Sequence, residues 1–347
     1  MPAAVEPELA LLVSEAPHTA DWLHEIKFDG YRLLCHVTSG KARLMTRRQL
    51  DWTARFPSIA QAAAKLPVKS VILDGEAVVL EPNGVSSFQA LQSALSEKAY
   101  DRMFYYVFDI LYLDGYDLRG VILEDRKKIL ASVLARQTAT SRIHYCDHIE
   151  GDGPEFLRQC CGHGLEGIIS KRRDRPYLAG RGGDWVKAKC IQHEEFVIGG
   201  FTDPTGTRQG FGAILIGYYD RPGHLLYAGR VGTGFSTEKL VDLRRTFDKL
   251  ETHEPTFANL TARQAGRGVH WTKPKLVCQV QFTNWTRDHV LRHPSFQGLR
   301  EDLPSTAVVR DAPVPGGLAE GAKTATLRRA KKVVQKSVAA RHRGGSR

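Results

Sequence analysis

Lys27-Phe28-Asp29-Gly30-Tyr31-Arg32 sets a primary amine two residues before a carboxylate and five before a guanidinium, with a glycine between them. A lysine amine is a nucleophile only when deprotonated. Its reference pKa of about 10.4 means that desolvation or neighbouring cations must bring it to that state. The chemistry this spacing suits is attack on a nucleotide. Arg32 could neutralise ribose-phosphate oxygens, and Gly30 would let the backbone turn closely past a bound ligand. By itself the hexapeptide fits an edge strand with an exposed lysine and a turn better than a nucleophile, so the acids and bases downstream must decide between the two.

Phosphoryl or nucleotidyl transfer needs developing charge on phosphate neutralised, commonly by a divalent metal held on carboxylates. Two acids stand at strand-like positions: Glu76 in Leu73-Asp74-Gly75-Glu76, and Glu166 in Glu166-Gly167-Ile168-Ile169-Ser170-Lys171. Trp185-Val186-Lys187-Ala188-Lys189 adds cations, because strand alternation puts Lys187 and Lys189 on one face. Arg181, just ahead in a glycine-rich loop, could reach the same phosphate. Two look-alikes are set aside. Gly162 to Gly167 matches GxGxxG but follows a helical segment and precedes a strand, the reverse of the dinucleotide-binding order. Gly316 to Thr324 lacks the Gly-Lys junction of a phosphate-binding loop.

The elements that must position these groups are legible from periodicity. Strands are expected at Tyr31–Val37, Ala42–Thr46, Val71–Leu80, Phe104–Tyr112, Gly167–Lys171 and Trp185–Lys189, with helices over 58–66, 123–136 and 154–162. In the helix over 123–136, Leu123, Ile129, Leu130, Val133 and Leu134 form the apolar face, and Glu124, Asp125, Lys127 and Lys128 the wet one. Beyond Cys190 the texture changes to longer strands at 195–201, 212–219, 225–231 and 276–285 with one helix at 237–250, which fits a small, partly open β-barrel such as an OB-fold. A boundary is therefore expected near 190–195, giving domains 1–190 and 191–310, and 311–347 reads as a basic, disordered linker and tail.

The 347 residues exceed the usual size of one domain. Residues 311–347 carry a net charge of +7 out of +11, which suits a polyanionic partner. The six cysteines show no CxxC pairing and no disulfide-like density, so reduced thiols are expected. The start of the chain lacks a signal peptide's basic flank, and no apolar run approaches membrane-spanning length.

In order, Lys27-x-Asp29-Gly30-x-Arg32, Asp74-Gly75-Glu76, Phe108-Asp109, Glu166-Gly167 and Lys187-x-Lys189 resemble motifs I, III, IIIa, IV and V of the covalent nucleotidyltransferases. Trp22 to Arg32, Asp51 to Pro57, Phe108 to Gly115 and Gly229 to Phe235 are similar to bacterial ATP-dependent DNA ligases, above all the ligase module of the end-joining ligase D group. Leu291 to Phe296 and Gly298 to Asp302 resemble motif VI, and the resemblance covers about residues 6–305.

The resemblance implies an α+β chain: a nucleotidyltransferase (adenylation) domain of antiparallel sheets with helices, followed by a β-barrel OB-fold domain. It implies that Lys27 attacks the α-phosphate of ATP to form a lysyl-AMP adduct, which seals 5′-phosphate and 3′-hydroxyl ends of nicked or broken double-stranded DNA. Glu25 would accept from the adenine amino group and Phe108 stack on the base. Arg32 and Arg47 would contact ribose or phosphate. Glu76 and Glu166 would serve the ribose and a divalent metal, magnesium with manganese as the alternative. Arg181, Lys187 and Lys189 would hold nucleotide phosphates and depress the Lys27 pKa, while Arg292 and Arg300 would orient pyrophosphate. The tail residues Arg328, Arg329, Lys331 and Lys332 would bind DNA. The location implied is cytoplasmic and nucleoid-associated, in end-joining repair with an end-binding protein as partner and no membrane. Two other readings are an RNA ligase or capping enzyme, and a weakly catalytic DNA-binding scaffold. Arg48-Gln49 stands where the family usually has Asn-Gly, and Leu303 where it has lysine, which bears on the Arg47 loop and on self-adenylation.

Overall fold

A computed structural model describes residues 1–138, 140–260, 265–266 and 268–313. In chain order the first part runs β1 (Leu11–Leu12), β2 (Trp22–Ile26), β3 (Tyr31–Thr38), β4 (Lys41–Thr46), α1 (Pro57–Ala63), β5 (Ser70–Val79), α2 (Phe88–Ser96), β6 (Met103–Leu113), β7 (Tyr116–Asp117), α3 (Leu123–Leu134), β8 (Ile143–Tyr145), β9 (Ile149–Glu150), α4 (Gly153–Gly162), β10 (Gly167–Arg172) and β11 (Trp185–Lys189). The second runs β12 (Gln192–Thr202), β13 (Ile214–Arg221), β14 (His224–Val231), α5 (Thr237–Asp248), β15 (Glu251–Thr252), β16 (Val269–Phe282) and β17 (Ser295–Leu299). Tail residues Arg328, Arg329, Lys331 and Lys332 lie outside the described residues.

Two sheets build the first part. One has the order β1-β11-β10-β2-β9, the other β4-β3-β5-β6-β7 with β8 beside β6. Most ladders are antiparallel as expected, but β1 joins β11 and β8 joins β6 in parallel, so both sheets are mixed. The third sheet, β14-β13-β12-β16-β15 with β17 on β16, lies entirely within residues 192–299.

Apolar alternation accounts for the packing. In β6, Met103, Tyr105 and Val107 point into a core shared with Leu33, Leu73, Phe56 and Phe88. A second core fills the β12–β17 region and includes Leu303, so the residue standing in place of the family's lysine is a buried packing residue. Helix α2, absent from the expected elements, is capped by the Ser87 hydroxyl, which accepts from Ala90 N at 3.1 Å, and it buries Phe88, Leu91 and Ala94.

Two expectations need correction. Lys127 is 2% exposed rather than on the wet face of α3. Helical spacing explains it, since Leu123, Arg126, Lys127, Leu130 and Leu134 share one stripe and all are buried. The expectation of six reduced thiols fails at Cys161 and Cys190, which form a disulfide, while Cys35, Cys146, Cys160 and Cys278 are free and buried.

Candidate active site

β2 ends at Ile26, and the Lys27 amide donates to Gly167 O at 2.9 Å. That bond sets Lys27 beside the residue before β10, and Lys27 Nζ lies 2.5 Å from Glu166 Oε1. A Cβ at Gly167, whose φ is +149°, would stand 2.2 Å from Ala188 O, so only glycine lets β10 and β11 meet here. The same is true at Gly30, where a Cβ would stand 2.2 Å from Ala77 O. The close neighbour of Gly30 is therefore the β5 backbone rather than a ligand.

Two adjoining spaces open around Lys27. One is a cavity of about 130 Å³ lined by Glu25, Lys27, Phe108, Ile169, Lys171 and Trp185, with Arg32 and Glu76 at its edge. The other is a polar cleft whose lining includes Lys27, Arg47, Glu76, Glu166, Lys187, Lys189 and Arg300. Lys187 and Lys189 arrive on one face of β11 by alternation, opposite Ile169 and Gly167 of β10. Ten of the expected groups thus converge: Glu25, Lys27, Arg32, Arg47, Glu76, Phe108, Glu166, Lys187, Lys189 and Arg300.

Three expected groups are placed differently from expectation. Arg32 is committed to protein partners: Nε and Nη2 donate to the Asp74 carboxylate at 2.9 and 2.6 Å, and Nη1 donates to Glu8 O at 2.6 Å. Arg181 is exposed and outside the cleft lining, but Asp311 accepts from its Nη1 at 2.7 Å and from Lys187 Nζ at 2.6 Å. Arg292 is exposed on the turn before β17 and does not join the cleft.

The Arg47 loop survives the loss of the family's glycine. Gln49 itself adopts the left-handed conformation with φ of 63°, and its Nε2 donates to Val5 O at 2.9 Å. A non-glycine residue pays about 1–2 kcal/mol there, and the hydrogen bond offsets part of that cost.

The electrostatics run against one expectation. Burial favours the neutral amine of Lys27, but Glu166, Asp29 and Glu76 outweigh it and the pKa is raised, not depressed. Burial lifts the Glu76 carboxyl to about 8. Lys189 is lowered by burial, with Lys187 and Lys27 adding to the effect. Glu166 Oε2 is buried without a hydrogen-bond partner, and single donor atoms of Asp29, Glu166 and His193 lie within 4.8 Å of one another.

Several groups at the site had no role in the sequence reading. Asp29 is the anchor for the third sheet: Gln279 Nε2 donates to its Oδ1 at 2.7 Å, His193 Nδ1 lies 3.5 Å from Oδ2, and its carboxyl falls to about 2 as those partners overcome burial. Arg300 Nη1 donates to Gln279 Oε1 at 3.1 Å, and Nε and Nη2 each lie 2.9 Å from an Asp302 carboxylate oxygen. Its guanidinium lies 4.9 Å from the centre of the Tyr31 ring. Glu195, on β12, stays ionised despite burial because Arg300, Arg47, Lys187 and Lys189 surround it. For Asp29 and Asp302 the available signal was their place inside motifs, and for His193 and Glu195 their place at the start of the strand that follows Lys189; Gln279, well inside β16, carried none.

Residues 8–189 match the model of the ATP dependent DNA ligase domain, and residues 207–303 that of the ATP dependent DNA ligase C terminal region. The chain is 38% identical over 328 residues to the multifunctional non-homologous end joining protein LigD of Pseudomonas aeruginosa, a match spanning 94% of this chain and 39% of that protein. It is 40% identical over 295 residues to the LigD of Mycobacterium tuberculosis, spanning 84% of this chain and 38% of the relative. The chain thus spans about two fifths of the length of these curated relatives. A solved mycobacterial DNA ligase D, complexed with ATP and MES, superposes with a TM-score of 0.64 at 37% identity, over 88% of this chain and 97% of that one. With both family models matched in order along the chain, and with a nucleotidyltransferase domain followed by an OB-fold domain, the protein belongs to the ATP-dependent DNA ligase family.

Proposed function

We propose that this chain joins 5′-phosphate and 3′-hydroxyl ends of DNA through a lysyl-AMP intermediate on Lys27, as a ligase of end-joining repair. One observation carries the reading: Lys27 stands where the aromatic cavity meets a cleft lined by Glu76, Glu166, Lys187, Lys189 and Arg300. The cavity suits a base, with Phe108 and Trp185 as apolar walls and Glu25 as acceptor. The cleft suits a polyphosphate. In the first step the Lys27 nitrogen bonds to the α-phosphorus, the α–β phosphoanhydride bond breaks, and pyrophosphate leaves. Before attack the ammonium must lose a proton, and Glu166 Oε1 is the acceptor in contact. The AMP then moves to a DNA 5′-phosphate, and the 3′-hydroxyl displaces it.

The donors fit a divalent cation. Glu166 offers a buried carboxylate oxygen without a partner, and Glu76, whose carboxyl burial raises to about 8, lines the same cleft. Magnesium or manganese on these carboxylates would supply positive charge beside Lys27 and the phosphate oxygens. Recruitment to broken ends by an end-binding protein and a cytoplasmic location extend the reading from the relatives' names; among the described residues no helix is long and apolar enough to cross a membrane.

Incubation with α-labelled ATP and magnesium is expected to label the wild-type protein covalently, and Lys27→Ala to abolish the label without changing the melting temperature by more than a few degrees. A folded wild type that takes up no label would end this reading. Nicked duplexes with DNA or RNA at the break then test the substrate.

A further inference from the structure

Glu25 is 2% exposed and lines the aromatic cavity, yet it is gripped from both sides by buried ammonium groups. Lys171, on β10, stands 2.5 Å from Oε2 and lies over the Phe108 and Trp185 rings at 4.3 and 4.0 Å. Lys127, on α3, donates to Oε1 at 2.7 Å and to Cys146 O at 2.6 Å, and packs 4.3 Å from the centre of the Tyr145 ring. Lys171 is part of the cavity wall. Lys127 is not, so it can act on a ligand only through Glu25.

A buried carboxylate held by one cation can turn about its side-chain bonds; one held at each oxygen by a different element cannot. Facing an ammonium group at each oxygen, it offers acceptor lone pairs only. A purine 6-amino group donates toward it, whereas a 6-oxo group presents a second acceptor and leaves a buried polar group unpaired. Burial alone would lower the Lys127 pKa, but Glu25 outweighs it and holds the ammonium charged.

Resting on the ligase reading for the identity of the ligand, we infer that Lys127 is a positioning residue that fixes the Glu25 carboxylate and so sets selection of 6-amino over 6-oxo purine nucleotides. Its location, on a helix behind the cavity, makes it a specificity determinant that touches no nucleotide atom.

The test compares ATP with ITP, which differ at purine position 6 and the adjacent N1 proton, on the full chain as wild type, Lys127→Met and Lys127→Arg. Calorimetric binding and covalent labelling are both measured. Lys127→Met is expected to lower the ATP/ITP preference by about tenfold or more, the worth of one hydrogen bond to a charged group. The change should fall on Kd and KM, with the labelling rate at saturation within about threefold. Lys127→Arg, which keeps the cation and a donor, should restore part of the preference. An unchanged ATP/ITP ratio in a folded Lys127→Met protein overturns the inference, as does an equal loss for both nucleotides. If Lys127→Met does not fold, a folded Lys127→Arg protein with an ATP/ITP preference clearly below that of the wild type supports the inference, and one with the wild-type ratio overturns it. Binding that discriminates while no label forms would instead fault the ligase reading and leave this inference standing.

Discussion

Replacing Gln279 with alanine separates the two halves of the proposed reaction. Gln279 is 4% exposed on β16 and bridges the sites, donating to Asp29 Oδ1 at 2.7 Å and accepting from Arg300 Nη1 at 3.1 Å. Both partners are charged, and a hydrogen bond to a charged group is worth about 1.5–3 kcal/mol. Asp29 keeps His193 and the Phe88 amide, and Arg300 keeps Asp302, so the loss is expected to be near the value of one such bond rather than two. That lowers the equilibrium constant for seating the third sheet on the Lys27 loop by about tenfold to a hundredfold. Formation of lysyl-AMP, to which the proposed reaction assigns the seated arrangement, should slow by up to the same factor at subsaturating ATP. Sealing of a nick already carrying AMP should change little, because in the proposed reaction a duplex would reach the Lys27 face only once these contacts of β16 had opened. Single-turnover label uptake and sealing of a pre-adenylated nick are measured side by side. Equal losses in both, or no loss in the first, would refute the clasp.

Two further outcomes follow from charge. Asp311 is held well below the usual carboxylate range, burial notwithstanding, by Lys187 and Arg181. It occupies cations the proposal gives to phosphate, so Asp311→Asn should tighten ATP binding severalfold, about 1 kcal/mol for a partly exposed pair; unchanged or weaker binding by calorimetry would show that the pairing does not compete. Burial raises the Glu8 carboxyl to about 8, and its Oε1 has no partner. Between the unfolded value of about 4.5 and about 8 the folded chain holds a proton that the unfolded chain has released, so its contribution is complete below 4.5 and is lost as pH rises to 8, by at most about 1.4 kcal/mol per pH unit. Glu8→Gln should flatten that slope in urea melts between pH 5 and 8, and an unaltered slope would assign it to other groups.

The parts of this molecule that were legible in the sequence are those where one residue's type and period decide its place. β11 is observed at the expected residues, Trp185–Lys189, because two lysines alternating with Val186 and Ala188 fit no other periodicity. The charge of Lys127 points to solvent, although its spacing from Leu123, Leu130 and Leu134 puts it on the buried stripe. Charge predicts exposure only for an unpaired group, and Glu25, 102 residues away, supplies the partner. The same limit hid Asp29's role: its partners Gln279 and His193 come from the third sheet, and no local pattern encodes a contact at a separation of 250 residues. Conversely Arg292 looked equivalent to Arg300 in the motif, and only the turn that carries it outward tells them apart.

The Cys161–Cys190 disulfide sits where the chain passes from the first domain to the OB-fold domain. Cys190 follows Lys189 directly and its amide donates to Glu166 O at 2.9 Å, so the end of β11 is fastened to α4 by a covalent bond and to the residue beside Lys27 by a hydrogen bond. The strand that carries Lys187 and Lys189 is thus pinned at its end. Only Ile191, whose amide also donates to Glu166 O at 3.4 Å, separates Cys190 from the start of β12 at Gln192, and His193 one step further lies 3.5 Å from Asp29. In the proposed reaction, a turn of the OB-fold domain about this short connection would carry β16 and β17 with it and leave Lys187 and Lys189 in place on β11.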